Sequence, residues 1–315
     1  MSRHLFALVF AALLAACVDT PRSPEAYSFG VMGDTPYSEG ETREYLAMMR
    51  EMDAEPLAFV IHVGDFKGGG ACSDELFATR KREFEASAHP FIYTPGDNEW
   101  TDCRRPYMGS MDPLERLARL REVFFADDQS LGREKMPTRV QDRCADAACR
   151  CPVYRENRAW MRGGVRFVTL DIPGSDNNVG FDAASDAEAK CRDQANAAWL
   201  DAAVDASLAA DTRALVVAIQ ADPWDNRRHA YDWLLAKLPE SAARLRKPLL
   251  FVHGDTHALR MDQPFTRDGH AVANLTRLET YGSPFVGWIK VTVDPADPHL
   301  FGFEPKLKAF VLPSR

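Results

Sequence analysis

The chain has 315 residues, 46% hydrophobic and 27% charged, which suits one large core and excludes a disordered chain. Its formal charge is -8; removing residues 1 to 16 takes away Arg3 and no acid, leaving -8 - 1 = -9. An acidic surface of that kind disfavours nucleic acid as a partner.

Met1 to Ala16 joins a short basic start, Arg3 and His4, to an apolar run from Leu5 to Leu14. That run is too short to span a bilayer and suits a signal peptide. It ends Leu14-Ala15-Ala16-Cys17, which resembles the lipobox of bacterial lipoproteins. The likeness implies export to the periplasm or cell envelope and attachment to a membrane through lipidated Cys17. The alternative is a soluble periplasmic protein cut nearby. Residues 17–26, with Pro21 and Pro24, read as a tether.

The globular part is expected over 27–311. Tyr27 to Met32, Leu57 to Val63, Phe91 to Thr94, Val165 to Leu170, Ala214 to Ile219 and Leu249 to Val252 read as buried strands. Helical spacing lies between them, over Glu41 to Met52, Asp74 to Ser87, Pro113 to Phe125, Ala184 to Ala209 and Arg228 to Leu238. The alternation predicts an α/β fold with helices on the sheet faces. Residues 101–160, with cysteines, many charges and one helix, read as an insert beside the core. Past Val252, the runs Ala271 to Leu278, Phe285 to Val293 and His299 to Phe303 lack intervening helices and predict a second, mostly antiparallel sheet.

Besides Cys17 there are six cysteines, Cys72, Cys103, Cys144, Cys149, Cys151 and Cys191. An even number in an exported chain reads as disulfides, with a zinc cluster at Cys144, Cys149 and Cys151 as the alternative. Cys72 and Cys103 follow two successive strand ends, so a bridge between them would brace two neighbouring loops.

Acids gather where strands end. Asp34 lies in Met32-Gly33-Asp34-Thr35-Pro36-Tyr37, Asp65 in His62-Val63-Gly64-Asp65, and Asp97 in Gly96-Asp97-Asn98-Glu99-Trp100. Gln220 and Asp222 close a fourth strand, and His253-Gly254-Asp255-Thr256-His257 a fifth. In an open α/β sheet the carboxyl ends of strands line the binding crevice, so five such clusters point to one site. A lone Gly-Asp is more often a turn or a helix cap; the ordered set is specific.

That order is similar to the calcineurin-like metallophosphoesterases, whose pattern runs D-x-H, G-D, G-N-H-D/E, a lone histidine, then G-H-x-H. The resemblance implies a four-layer α-β-β-α sandwich, two mixed sheets flanked by helices. Asp34, Asp65, Glu99 and His257 keep family positions, whereas Pro36, Asp97, Asn98, Gln220 and Asp255 replace histidine, asparagine, histidine, histidine and histidine. Asp97, Gln220 and Asp255 still offer oxygen. The implied ligands are therefore Asp34, Asp65, Asp97, Gln220, Asp255 and His257 around two divalent ions. So oxygen-rich a set favours Mn²⁺ or Mg²⁺, with Ca²⁺ suited and zinc or iron less so.

The implied activity is hydrolysis of a phosphate ester, a small molecule or a nucleotide, by a hydroxide bridging the ions, with Asp65 and Asn98 catalytic. Asn98 also stands as a phosphate contact, but an amide cannot protonate a leaving group. Arg104 and Arg105 either grip phosphate or form a solvated pair beside Asp102. His62 and His253 read as core histidines, and Trp100, Trp224 and Tyr37 as ring packing behind the site. The competing function is a non-catalytic, cation-stabilised binding lipoprotein on the same scaffold, for which Pro36 and Asn98 speak.

Overall fold

A computed structural model describes residues 23–141, 154–225 and 227–311. Cys17 and the segment before it lie outside the described residues, as do Cys144, Cys149 and Cys151. Strands β1 (Tyr27–Met32), β2 (Leu57–His62) and β3 (Phe91–Tyr93) alternate with helices α1 (Glu39–Asp53) and α2 (Asp74–Ala86), followed by α3 (Pro113–Phe124). Next come β4 (Arg139–Gln141), β5 (Tyr154–Arg162), β6 (Val165–Thr169), α4 (Ala183–Ser207), β7 (Ala214–Ala218), α5 (Asp232–Leu245) and β8 (Leu249–His253). The chain closes with β9 (Arg260–Asp262), the short hairpin β10 (Thr266–Arg267) and β11 (His270–Ala271), then β12 (Leu275–Glu279), β13 (Phe285–Val293) and β14 (Phe301–Phe310).

Four of the described helices begin where side chains cap them. Ser38, Ser73, Asp112 and Asp182 each accept a backbone N–H of the first turn. Glu41, three residues after Ser38, is buried; it accepts the N–H of Tyr37 at 2.8 Å and the hydroxyl of Ser283 at 2.7 Å. The cap thus also fixes the loop that carries Asp34.

The helix-linked strands do not share one sheet. One sheet has the order β14-β13-β1-β2-β3 and the other β4-β5-β6-β7-β8-β12-β9. The C-terminal strands, expected to form a sheet of their own, are divided between the two. β12 runs parallel to β8, and β13 lies antiparallel to β1. The reason is in β13, which is apolar on both faces. Val286 and Trp288 pack toward the helices, while Ile289, Val291 and Val293 enter the layer between the sheets. Only a central strand of a covered sheet buries both.

That middle layer joins Phe29, Val31, Phe59 and Ile61 of the first sheet to Phe167, Val216, Leu250 and Val252 of the second. Phe59 stands edge-on to Trp160 and Phe167 at ring-centre distances of 5.5 and 5.0 Å. With helices outside each sheet, the order is the four-layer sandwich. Truncating Phe59 to alanine would cost about 3–5 kcal/mol.

The segment read as an insert is woven into this framework. Leu117, Leu120 and Phe124 of α3 join the core of the first sheet, and β5 pairs antiparallel with β6. β5 escapes sequence reading because its buried positions include Glu156 and Arg158, matched by Arg121 and Thr138.

Candidate metal centre

All five polar strand ends open on one crevice where the two sheets meet. The chain turns sharply there: Asp34, Asp65, Asp255 and His257 have φ of 52, 56, 81 and 63°. Left-handed backbone costs a residue other than glycine about 1–2 kcal/mol, and such outliers gather at functional sites. Two of the glycines supply room. A Cβ on Gly96 would lie 2.1 Å from Asp65 Oδ1, and one on Gly254 2.1 Å from Asp34 Oδ2.

Carboxylate oxygens of Asp65, Asp97 and Asp255 lie within 4.8 Å of one another. Asp34 joins them, its Oδ1 accepting the N–H of Asp255 at 3.0 Å. All four are buried or nearly so, and among the described residues no lysine or arginine forms an ion pair with any of them. Burial, then the neighbouring acids, raises the carboxyls of Asp34, Asp65 and Asp255 well above the usual range. His257 completes the set. Its Nδ1 bonds the Ser283 carbonyl at 2.5 Å, which places the proton there and leaves the Nε2 lone pair 3.8 Å from Asp34 Oδ1.

A neutral frame holds the acids. Asp65 accepts the backbone N–H of Asn98 at 3.0 Å, the Asn98 amide at 2.9 Å and the Tyr37 hydroxyl at 3.0 Å. Glu99 is turned away from the crevice: its Oε1 accepts Asp65 N–H, Gly96 N–H and the Tyr93 hydroxyl at 3.0, 2.7 and 2.7 Å. It ties two loops together. Buried Lys67 does related work, donating to the carbonyls of Gly68 and Asn98 at 2.6 and 3.1 Å.

Gln220 departs from the role expected of it. Its oxygen accepts the Gly174 N–H at 2.5 Å and its nitrogen faces Asp255 Oδ1 at 3.4 Å. A backbone N–H only donates, so the amide is fixed with nitrogen, not oxygen, toward the acids. Gln220 links loops and is not aimed as an oxygen ligand.

Asp97 Oδ2 accepts the Ser175 hydroxyl at 2.5 Å. Ser175 opens a run in which Ser175, Asp176, Asn177 and Asn178 all have φ between 49 and 64°. Beside it, Arg105 pairs with Asp102 at 3.0 Å and donates to Ser175 at 3.2 Å, and Arg104 lies against Phe181. Arg104 and Arg105 thus line the same cleft as Asp97 and Asp255.

Among known proteins, no family model and no curated sequence matches the chain. Solved structures do. A dimetal phosphatase from Danio rerio superposes with a TM-score of 0.57 at 13% identity, covering 90% of this chain and 96% of that one. The fold is that of the metallophosphoesterases. A protein serine/threonine phosphatase from Saccharomyces cerevisiae (TM-score 0.36, 14% identity, 92% of this chain and 82% of that one) and Vacuolar Protein Sorting 29 from Cryptosporidium parvum (0.31, 12%, 90% and 97%) match too loosely to bear on the fold.

Within the metallophosphoesterase fold, the remaining residues fall into place by packing. His62 and His253 are fully buried among aromatic rings and held neutral by burial, which pushes each down to about 3. Trp100 is buried behind the site under Arg192, and Trp224 lies beneath Arg277 at the rim. Tyr37 was expected as ring packing; its hydroxyl instead enters the centre. Cys72 and Cys103 are joined in a disulfide that braces the second and third strand-end loops, and Cys191 is disulfide-bonded as well. Ser175 was missed, since Pro173-Gly174-Ser175-Asp176-Asn177-Asn178 reads as a plain turn; the Asp and Asn that follow it, types that visit positive φ, are the one signal there.

Proposed function

We propose that the protein is a metal-dependent phosphoesterase. The observation that carries this is the meeting of Asp34, Asp65, Asp97 and Asp255, buried or nearly so, with no lysine or arginine paired to any of them among the described residues. Four such groups stay ionised only beside bound cations, and their oxygens fit hard divalent ions. Asp34, Asp65, Asp97, Asp255 and His257 Nε2 would hold two of them, with Mn²⁺ or Mg²⁺ favoured over zinc. Bound there, the cations supply charge that neutralises phosphoryl oxygens and lowers the pKa of water.

The protein's own groups divide the remaining work. Asn98 and Tyr37 orient Asp65, the Asn98 amide giving one hydrogen to the Tyr37 hydroxyl and the other to Asp65. Ser175 holds Asp97, and Ser283 fixes the His257 tautomer. Neither Asn98 nor neutral, buried His253 gives a leaving alcohol a proton at neutral pH, so esters of acidic alcohols, such as aryl phosphates, are cleaved best. We also read the chain as exported, which the Cys72–Cys103 disulfide supports, and as anchored through Cys17.

The test is metal content of the purified chain, alongside hydrolysis of 4-nitrophenyl phosphate and its diester in Mn²⁺, Mg²⁺, Ca²⁺ and Zn²⁺. Two ions per chain with turnover, and loss of turnover in Asp255→Asn at unchanged fold, support the enzyme. Bound cation without turnover supports the binding-protein reading, which the missing imidazoles at 36 and 98 favour. Folded protein with neither overturns both.

A further inference from the structure

Above the acids stands a basic wall that the proposed chemistry leaves unused. Arg104, Arg105 and Arg228 line, together with Asp97, Asp255 and the ion pair Arg227–Asp225, a cleft of about 390 Å³. One element positions all three. The left-handed run 175–178 accepts Arg105 on the Ser175 hydroxyl at 3.2 Å and Arg104 on Asn178 Oδ1 at 3.2 Å, and it faces Arg228 with Asp176 at 3.4 Å.

Phe181 adds a second constraint. The guanidinium carbons of Arg104 and Arg228 lie 3.1 and 4.8 Å from its ring centre, so one ring gathers two like charges. Among the described residues, the acids paired with the three arginines are Asp102 and Asp176, one fewer than the cations they serve. A strained turn and an aromatic ring therefore hold an excess of fork-shaped donors beside a site that already has its own phosphate binders. With its ring engaged by guanidinium groups, Phe181 selects charge and not a flat base.

We propose that this wall is a subsite for a second anionic group of the substrate. The ester cleaved here carries, besides the phosphate taken at the acids, a further phosphate or carboxylate on its alcohol portion. Guanidinium forks grip either anion bidentately. The inference rests on the phosphoesterase reading for the orientation of substrate, and its test is separable from it.

The test is calorimetric binding of 3-phosphonopropionate against propylphosphonate, which differ by a carboxylate in place of a methyl group, to the mature chain in Mn²⁺. Wild type is expected to bind the carboxylate-bearing probe at least about tenfold more tightly, the worth of one charge-assisted hydrogen bond. Arg228→Ala and Arg105→Ala/Arg228→Ala should erase most of that preference. Arg228→Lys, which keeps the charge and loses the fork, should keep part of it. Arg228 is about two-fifths exposed, so its loss spares the fold even if the double variant does not. Equal affinities in wild type, or a preference that survives both alanine variants, overturn the subsite. Turnover of aryl phosphate without the preference rejects the subsite and leaves the phosphoesterase standing; preference without turnover does the reverse.

Discussion

Asp65→Asn is expected to stabilise the cation-free protein while abolishing its response to metal. Asp65, Asp97 and Asp255 place oxygens within 4.8 Å of one another, so each ionised pair repels by about 3.5 kcal/mol at an effective dielectric of about 20. Asp65 belongs to two of the three pairs. It escapes that repulsion by taking a proton, which at pH 7 costs about 4 kcal/mol for a carboxyl of ordinary pKa. The amide removes this penalty and gives up one or two of the bonds from Tyr37 and Asn98, at about 1 kcal/mol each. The net gain of about 2–3 kcal/mol raises Tm by roughly 4–6 °C for a chain of this size. In Mn²⁺ at about one thousand times Kd the order reverses: wild type gains about 4.1 kcal/mol and the variant gains little. Scanning fluorimetry in EDTA and in Mn²⁺ reads both. A variant that melts below wild type in EDTA, or still shifts with Mn²⁺, refutes the reasoning.

Three further expectations can be checked. Without metal, stability of the wild type should fall as pH rises from about 4, because raised carboxyls bind more protons folded than unfolded, and the loss should end once the folded pKa values are passed; urea titrations in EDTA across pH follow it, and Mn²⁺ should flatten the slope. Glu99→Ala leaves the N–H groups of Asp65 and Gly96 and the Tyr93 hydroxyl without an acceptor and should cost about 2–4 kcal/mol in urea unfolding, with metal affinity falling as the Asp65 loop loosens. Replacing Cys72 and Cys103 by alanine opens a 31-residue loop, for which chain entropy gives about 4 kcal/mol; the loss should be smaller than that of wild type under reductant, which also opens the bridge of Cys191.

Much of this architecture can be read from residue order. Tyr27–Met32 and Phe285–Val293 announce themselves by apolar runs between turn residues, and the acids follow because a strand end is where a short polar motif has room to act. What escapes is whatever depends on partners distant in sequence. The fifth run of helix spacing, expected over Arg228 to Leu238, is helical from Asp232 to Leu245 and carries Pro239 within it, since packing under the second sheet outweighs local propensity. β14 continues to Phe310 through Pro305 because an outer strand has one row of N–H groups to spare. Likewise Gln220 is turned by Gly174, forty-six residues away, and no motif records that hydrogen bond. The identity of a side chain is legible; which of its atoms faces the site is decided by neighbours the sequence does not place beside it.

The division of the C-terminal strands has a consequence for biogenesis. Asp34, Asp65 and Asp97 hang from the sheet that starts the chain, while Asp255 and His257 hang from the other, and the first sheet is closed only when β13 pairs with β1. A nascent chain halted before residue 255 therefore holds three acids and lacks the residues that complete their cage. High contact order of this kind makes assembly late and slow. A cation held as proposed would reward only a finished polypeptide, acting as a latch on the completed fold and giving no help to its first half.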